Sequence, residues 1–378
     1  MKRFHVPKIP LCVLLAFAIT VSAFSNDKIK IEGEAPTFRT DNPTYTGAVT
    51  QLNSALGDAF GLATLDLEGL VGNINALPER FIQAWGNASV FASHGATNRA
   101  YGGYKIFTAT IGSVTGYQLP VNPVVFLQDP GILLTELNDS GDLSFGLNIQ
   151  MLSAQVGFNM SFLVKNLYLG LRVGYLNLPS LFDNLSFKTT TVGILGNYQL
   201  LPRINLLGII DWKGVNLGTG FIYQGTSLNV NVPLKQIRQE MGQVSTLGNL
   251  ALLVDPVVFF NMDIKTYTIP IEAMTAIKVI FINVPFGLGV DLGFGDSKIG
   301  IGMKNVINID GLNNPAIEQD KEGHLTADVG GTVSPIGFNI KLMTGLGFAF
   351  GPFILDIPFT YYFRGNGASL GMTLGVSF

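Results

Sequence analysis

Cysteine is nearly absent from this chain of 378 residues, which contains only Cys12. That residue lies in an apolar N-terminal run typical of a signal peptide, so the exported chain is expected to have no thiol. Because a thiol is missing, disulfide frameworks and thiolate metal centres are excluded. Charged residues are also scarce, at 13% of the chain, which is about half the usual share.

Residues 1–25 have the three parts of a secretory signal peptide. Lys2, Arg3 and Lys8 form the basic end, residues 9–21 form the apolar run, and small residues before Asn26 offer a cleavage site. The run is shorter than the about 20 residues that a permanent membrane helix needs. The sequence therefore predicts export and removal of residues 1–25.

Long apolar runs are missing from the rest of the chain. No later segment approaches about 18 uninterrupted apolar residues, although the mean hydropathy is +0.37. Backbone groups in lipid must pair within the protein, so a chain without a spanning helix crosses a membrane only as a closed β-barrel. Acidic residues (26) outnumber basic ones (23), which leaves no basic stripe for nucleic acid.

The last ten residues, 369–378, alternate strictly between apolar and small or polar side chains. In a strand, this alternation makes one face apolar. A terminal aromatic that closes such a strand resembles the C-terminal signal read by the barrel-assembly machinery of bacterial outer membranes. The alternative is the edge strand of a soluble sandwich. The residues of the candidate assembly signal are Leu370, Met372, Leu374, Val376 and Phe378.

The same period of two begins near residue 104, for example in residues 167–175 and 288–294. It predicts an all-β membrane protein whose residues 104–378 form a closed antiparallel transmembrane β-barrel of about 14 strands, within a range of roughly 12 to 16 because boundaries are uncertain. The candidate strands are 104–117, 145–162, 166–178, 185–200, 203–213, 215–232, 251–268, 270–284, 286–295, 297–309, 323–334, 336–350, 352–364 and 367–378.

The polar stretch 310–323 does not fit this count well. If both chain ends are periplasmic, 14 strands place the stretch on the periplasmic side, where turns are normally short. Either the count is off by one before the chain end, or the barrel has an atypical distribution of loops.

Residues 26–103 lack the two-residue period. Leu52, Leu56, Phe60 and Ala63 recur at helical spacing, and Pro78 begins a second helical segment that Gly86 ends. The region has more aliphatic residues than a solvated tail. We expect a partly helical plug in the barrel lumen; a small periplasmic helical cap is the alternative.

Catalytic and metal sites have little support in the sequence. Gly295-Asp296-Ser297 matches the nucleophile block of GDSL-type esterases in letters, but it joins two alternating segments and is interpreted as a turn. His94 and His324 are too few and too far apart for a triad or a histidine metal site. No phosphate-binding loop occurs. We expect no catalytic residue, no cofactor and no metal.

Charged residues in the small or polar register are the better candidates for function. Inside a lumen they would line a path and set its selectivity, or pair with one another and with the plug to fill the interior. Asp211, Lys213 and Lys278 share this register, although the first two are also compatible with a turn around Trp212. The lumen-lining candidates are Arg172, Asp263, Lys265, Glu272, Asp291, Lys298, Lys304, Asp328, Lys341 and Asp356.

This architecture resembles the FadL-type channels for hydrophobic compounds. Their Asn-Pro-Ala hatch motif is only partly echoed by Asn42-Pro43-Thr44, and Asn314-Pro315-Ala316 lies near the C-terminus. The resemblance is architectural and implies about 14 strands, an N-terminal hatch inside the barrel and passage of apolar compounds without an energy source. It implies no role for any particular residue of this chain.

These features predict a passive channel in the bacterial outer membrane for small or hydrophobic solutes. Its expected partners are outer-membrane lipid, the barrel-assembly machinery during biogenesis, and a small or apolar solute. The alternative is a surface-exposed structural or adhesive barrel without transport. An outer-membrane hydrolase is disfavoured because no Ser–His pair is evident.

Overall fold

The computed structural model describes residues 30–71, 79–93, 106–121, 144–182, 184–206, 209–243, 249–312 and 314–378. The predicted signal peptide and His94 lie outside these ranges, as do parts of the predicted plug. Most of the described chain is β-strand, and the sheet pairings are antiparallel.

Two helices occur in the described residues, α1 (Pro43–Val71) and α2 (Glu79–Ser93). The strands in chain order are β1 (Lys30–Glu34), β2 (Thr37–Arg39), β3 (Phe107–Gln118), β4 (Gly146–Asn159), β5 (Leu167–Phe182), β6 (Leu185–Leu201), β7 (Ile204–Leu206), β8 (Ile210–Pro233), β9 (Ile237–Gln243), β10 (Asn249–Val279), β11 (Ile282–Asp310), β12 (Glu318–Lys321), β13 (Gly323–Val333), β14 (Phe338–Phe350), β15 (Phe353–Tyr362) and β16 (Gly367–Ser377). Neither described helix is long and apolar enough to cross a membrane.

The chain divides into two compact units. Unit 1 contains the residues before 79 together with 229–261 and 299–331, and unit 2 contains 79–228, 262–298 and 332–378. The division therefore does not follow the boundary expected near residue 103, because α1 belongs to unit 1 and α2 to unit 2. Strands β8, β10, β11 and β13 contribute residues to both units.

The main sheet has 14 strands, and a subset of them forms a hydrogen-bonded ring. Around the ring the order is β11, β14, β15, β16, β3, β4, β5, β6, β8 and β10, and pairing between β10 and β11 completes it. A ring leaves no unpaired strand edge along these elements. The all-β, antiparallel barrel that the alternation predicts is therefore confirmed.

The C-terminal strand occupies the position expected of it. β16 pairs with β3 from Gly367 opposite Gln118 to Ser377 opposite Thr108. Beyond the last pair, the Phe378 amide donates to the carbonyl of Phe107 at 2.9 Å. The last strand thus meets the first strand of the ring.

Two predicted breaks lie inside single long strands, namely β10 and β11, and the predicted strand 203–213 is divided between β7 and β8. The prediction of a turn at Gly295-Asp296-Ser297 is wrong, because β11 continues through these three residues. Gly295 has a φ of +134°, which glycine adopts without a side-chain clash, so the strand distorts there without reversing. Because β10 and β11 are uninterrupted and β7 lies outside the ring, the number of ring strands before the polar stretch after Asp310 changes. The strand count therefore no longer places this stretch on the side of the short periplasmic turns.

The two faces of the ring differ in polarity. On β16, Leu370, Met372 and Leu374 are each about half exposed, whereas Ser369 and Thr373, on the alternate register, are buried. The 10 to 12 residues of β3, β15 and β16 match the length of a tilted transmembrane strand. Apolar side chains therefore face outward and polar ones inward, as lipid requires.

One end of the barrel is marked by the C-terminus. The β14–β15 turn lies here, since the Ser377 amide donates to the carbonyl of Pro352 at 2.7 Å. The β10–β11 turn lies here too, because Phe281 and Phe350 stack with their centroids 4.9 Å apart. We call this the C-terminal end. The β15–β16 turn and the start of β4 lie at the other end, called the opposite mouth.

Unit 1 has its own apolar core. Asn42 caps α1, as its side-chain oxygen accepts from the Thr44 amide at 3.0 Å, and Pro43 begins the helix. Leu52 and Leu56, expected against the inner face of the barrel, are instead buried in this core with Phe38. The remaining buried members of the core are Val49, Leu250 and Ile317.

Candidate functional site

Helix α2 lies inside the ring of unit 2. On one side Ala92 packs against Val114 of β3. On another, the hydroxyls of Ser89 and Thr266 of β10 are 2.9 Å apart. Phe91 stacks on Tyr362 of β15 with the ring centroids 4.0 Å apart. A helix that contacts strands from several sides of the ring must occupy its interior.

Small residues allow this close approach. Ala84, Ala88 and Ala92 recur every four residues and share one face of the helix. A Cβ at Gly146 would overlap the carbonyl oxygen of Ala84, and one at Gly116 would overlap that of Ala88. The barrel wall therefore carries glycine where the backbone of α2 approaches it.

Neutral hydrogen bonds hold α2 at the opposite mouth. Asn87 donates to the Gln118 side chain at 2.7 Å and accepts from the Ile336 amide at 2.7 Å. Gln83 donates to the carbonyl of Ser334 at 3.2 Å. Gln118 and the 334–336 segment adjoin the ends of β3 and β14 that are remote from Phe378. The helix thus fills the opposite mouth.

A cluster of three charged side chains, called the acidic triad, lies on the inner face of β10, β11 and β14. Lys341 donates to Glu272 at 2.6 Å and to Asp291 at 2.6 Å. Lys341 and Asp291 are both 0% exposed. A buried charge is very costly unless it is paired, so each member depends on the others. Two carboxylates against one ammonium give the triad a formal charge of −1.

A cationic group, called the arginine network, lies on β4, β5 and β6. Arg172, only 1% exposed, donates to the side chains of Gln150 and, at 3.5 Å, Ser153. Gln150 in turn donates to Thr191. In the ring order these strands lie across from the strands of the acidic triad.

The acidic triad is adjacent to the last turn of α2. Val90 contacts Gly293, two residues from Asp291 on the same strand. Phe91 stacks on Tyr362, which pairs directly with Lys341 between β14 and β15.

The arginine network is also adjacent to the last turn of α2. Ala92 packs on Val114, which pairs with Gln150 between β3 and β4. The acidic triad and the arginine network therefore occupy opposite walls of one layer, next to the helix.

The structure brings four of the lumen-lining candidates into this layer: Arg172, Glu272, Asp291 and Lys341. Asp356 on β15 is also buried. Near the C-terminal end, Asp211 is buried beside Lys213 at 3.7 Å and also pairs with Arg203. These two residues lie in β8, not in a turn around Trp212.

Five candidates lie elsewhere. Asp263 and Lys265 pair with each other at 3.1 Å on the outward register of β10. Lys298 is exposed because β11 does not turn at Gly295, so it keeps the outward orientation of Phe294. Lys304 and Asp328 belong to unit 1, where Lys304 lies 5.0 Å from the ring of Phe259.

Sequence reasoning missed the neutral residues of the site. Gln150, Thr191, Asn87 and Ser89 are uncharged and were not singled out. The available signal was the inward register of Gly116 and Gly146, which marks a close approach of backbone. Among the described residues, no group of three or more His, Cys, Asp or Glu side chains is arranged to hold a metal ion. His324 is exposed on β13.

Several solved β-barrels resemble this chain weakly. The translocator domain of the autotransporter NalP from Neisseria meningitidis is 9% identical, with a TM-score of 0.26, over 76% of this chain and 91% of that one. The CymD monoaromatic hydrocarbon channel is 11% identical, with a TM-score of 0.24, over 73% and 89%. The toluene transporter TodX from Pseudomonas putida is 9% identical, with a TM-score of 0.23, over 79% and 96%. At these values the similarity carries no inference about function.

The family assignment comes from the sequence itself. No curated protein matches this chain. A match to the Lsa36-like family extends over residues 35–378, which includes α1, α2 and all strands of the ring. The chain therefore belongs to the Lsa36-like family.

Proposed function

We propose that this protein is an outer-membrane β-barrel channel for small polar solutes, and that helix α2 closes it at the opposite mouth. The observation that carries the proposal is a helix enclosed by a ring whose outer face is apolar and whose inner face is polar. The apolar outer face fits outer-membrane lipid. The N-terminal signal predicted from the sequence fits export to that membrane.

The interior favours polar solutes over the hydrophobic ones that were equally expected from the sequence. Beside α2 the wall presents Gln150, Thr191 and Arg172 on one side and the acidic triad on the other. A path through this layer would exchange a solute's water for protein hydrogen bonds. A hydrophobic solute would have no such compensation while it displaced polar contacts.

The contacts of α2 are compatible with movement. Its observed hydrogen bonds to the wall from Asn87, Ser89 and Gln83 are neutral, and each such bond contributes only about 0.5–1.5 kcal/mol. At Gly116 and Gly146 the helix approaches the wall through its backbone, whereas Phe91 on another side stacks on Tyr362. We therefore infer that the helix is the gate.

A disulfide across the gate tests the proposal. Ser89→Cys with Thr266→Cys replaces two hydroxyls that are 2.9 Å apart, and the only native cysteine, Cys12, lies in the predicted signal peptide. In planar bilayers we expect the oxidised variant to conduct no current and the reduced variant to regain the openings of the wild type. Each single cysteine variant is the control.

A variant in which α2 is displaced from the barrel wall provides the complementary test. Gly116→Ala and Gly146→Ala place methyl groups where the carbonyl oxygens of α2 lie, so they should displace the helix and raise conductance. Gly170→Ala is the matched control, because its Cβ meets only ordinary contacts at 3.5 Å or more. A released barrel that is folded but conducts nothing would contradict the channel.

A second function is favoured by one observation. Arg172 and Lys341 are almost completely buried, so the interior is packed in this structure. If the released barrel stays silent, we infer that the barrel is a sealed membrane anchor. Unit 1, which has its own core, would then be the part that acts as the surface-exposed structural or adhesive element.

A further inference from the structure

A row of four aromatic side chains crosses three neighbouring strands of unit 2. Phe221 and Tyr223 belong to β8, Tyr267 to β10 and Phe294 to β11. The ring centroid of Tyr267 is 5.8 Å from that of Phe221 and 5.4 Å from that of Phe294. Tyr223 lies 5.2 Å from the same ring. Phe221 and Phe294 are nearly half exposed, whereas Thr266 on the alternate register is buried. These four residues, called the aromatic row, therefore form one continuous outward surface.

The outward register changes from apolar to charged at the aromatic row. On β11 the outward side chains from Phe286 to Phe294 are apolar, and Leu288 among them is 60% exposed. On the far side of the row, away from the C-terminal end, the outward positions are charged on both β10 and β11. These charged residues are Lys265 and Asp263 on β10, which pair with each other, and Asp296 and Lys298 on β11.

A second set of aromatic side chains lies at the C-terminal end of the barrel. Phe281 stacks on Phe350 there, and Phe378 stacks on Phe107. Between this end and the aromatic row, the apolar outward stretch of β11 is residues 286–294. Its length matches the about 9–11 residues with which a tilted strand crosses a bilayer. The two aromatic sets are therefore separated by about the thickness of a membrane.

We propose that the aromatic row lies in the headgroup layer of a lipid bilayer and sets the level at which the membrane ends towards the opposite mouth. Membrane barrels carry girdles of aromatic residues at both interfaces, where one part of the ring contacts acyl chains and another contacts water. Charged side chains directly beyond the row fit this layer because they remain hydrated. The inference rests on the membrane location in the proposed function but requires neither a channel nor movement of α2.

This boundary also gives the level at which α2 closes the barrel. Val90 of the helix contacts Gly293, the neighbour of Phe294 on β11. The hydroxyl of Ser89 lies 2.9 Å from that of Thr266 on β10, one residue from the aromatic row. The helix inside the ring and the aromatic row outside it therefore share one level. The seal would lie at the surface of the membrane and not at the centre of the bilayer.

Fluorescence quenching by labelled lipids tests this boundary. Phe294→Trp places a probe in the row, and Leu288→Trp is the matched control on the same outward register of β11, with the native Trp85 and Trp212 replaced by Phe. Each variant is reconstituted into phosphatidylcholine vesicles that carry a nitroxide quencher either at the headgroup or near the end of the acyl chain. Phe294→Trp should lose most of its fluorescence to the headgroup label and little to the chain-end label. Leu288→Trp should show the reverse order.

The remaining outcomes overturn the boundary or the membrane location. Stronger quenching of Phe294→Trp by the chain-end label would place the row within the hydrocarbon layer and overturn the boundary. If neither label quenches Phe294→Trp while Leu288→Trp is quenched, a second copy or another protein covers the row, which also overturns it. If neither variant is quenched by either label, the membrane location fails, and the proposed function fails with it. Heat-modifiable migration verifies assembly, and Tyr267→Trp repeats the measurement on β10 if Phe294→Trp does not assemble.

Discussion

At the scale of single residues, burial decides which charges matter. Lys341, Asp291 and Arg172 are buried and form hydrogen bonds with side chains on neighbouring strands. Lys298 and Lys265 carry the same charge as Lys341 and Arg172 but lie on the outward register, where they are exposed. Sequence spacing placed both kinds in one class, because a strand pattern does not tell how far the strand continues.

An exposed ion pair in unit 1 gives a pH dependence. The hydrogen bond from Arg238 holds the pKa of Asp310 below its usual value, and the Gly311 amide adds to this. A depressed folded-state pKa stabilises unit 1 at pH above the unfolded value of about 4. The stabilisation is lost as the pH falls through the lower, folded value.

Asp310→Asn should therefore lower the stability of unit 1 slightly at neutral pH, to the level that it has in acid, and so flatten the acid limb of its unfolding curve. Hydrogen exchange of β9 and β13 between neutral and acidic pH measures this. Asp320→Asn, another exposed carboxylate of unit 1, is the control. An acid limb in Asp310→Asn as steep as in the wild type would show that the pair does not contribute.

At the scale of elements, the terminal strand and α2 have different roles. β16 completes the ring by pairing with β3, and its outward side chains are apolar and exposed. α2 has its contacts on the inner face. Loss of β16 would break the ring, whereas loss of α2 would leave the ring paired.

Phe378→Ala should reduce the amount of assembled barrel sharply, while exported but unassembled chain accumulates. Phe378 stacks on Phe107 with the centroids 5.1 Å apart, and the alternation before it is the predicted assembly signal. Heat-modifiable migration on gels measures assembly. Phe353→Ala, an exposed aromatic at the same end, is the matched control. A normal amount of heat-modifiable barrel in Phe378→Ala would contradict the assembly role.

The two units of the protein have separate cores. Leu52 and Leu56 are buried with Phe38 in unit 1, whereas Phe91 and Tyr362 are buried in unit 2. The helix face that the sequence assigned to the lumen thus contributes to another core. Helical periodicity shows that a face is buried but does not show which surface covers it.

Leu56→Ala should destabilise unit 1 by about 2–5 kcal/mol, the usual cost of a buried cavity of this kind. The barrel of unit 2 should keep its heat-modifiable migration and its hydrogen-exchange protection. Phe91→Ala is the reciprocal variant and should affect the surroundings of α2 alone. Equal loss of protection in both units after Leu56→Ala would show that they unfold together.

Local sequence determined the strands and their faces. The alternation in Ser369–Phe378 and in residues 167–175 predicted outward aliphatic and inward polar side chains, and the structure has them. This works because successive side chains of a strand point to opposite faces, so polarity along the chain reports the environment directly. Arg172, Asp291 and Lys341 were found by this register alone.

Packing between distant parts of the chain sets what the local pattern leaves open. Gly295 and Pro270 are common in turns, yet β10 and β11 pass through them because pairing with neighbouring strands outweighs the local preference. It also decided that α2 lies within the ring, and that Arg172 lies across from the acidic triad. Such contacts join residues far apart in the chain, and their energy depends on packing and desolvation that appear only when the ring forms.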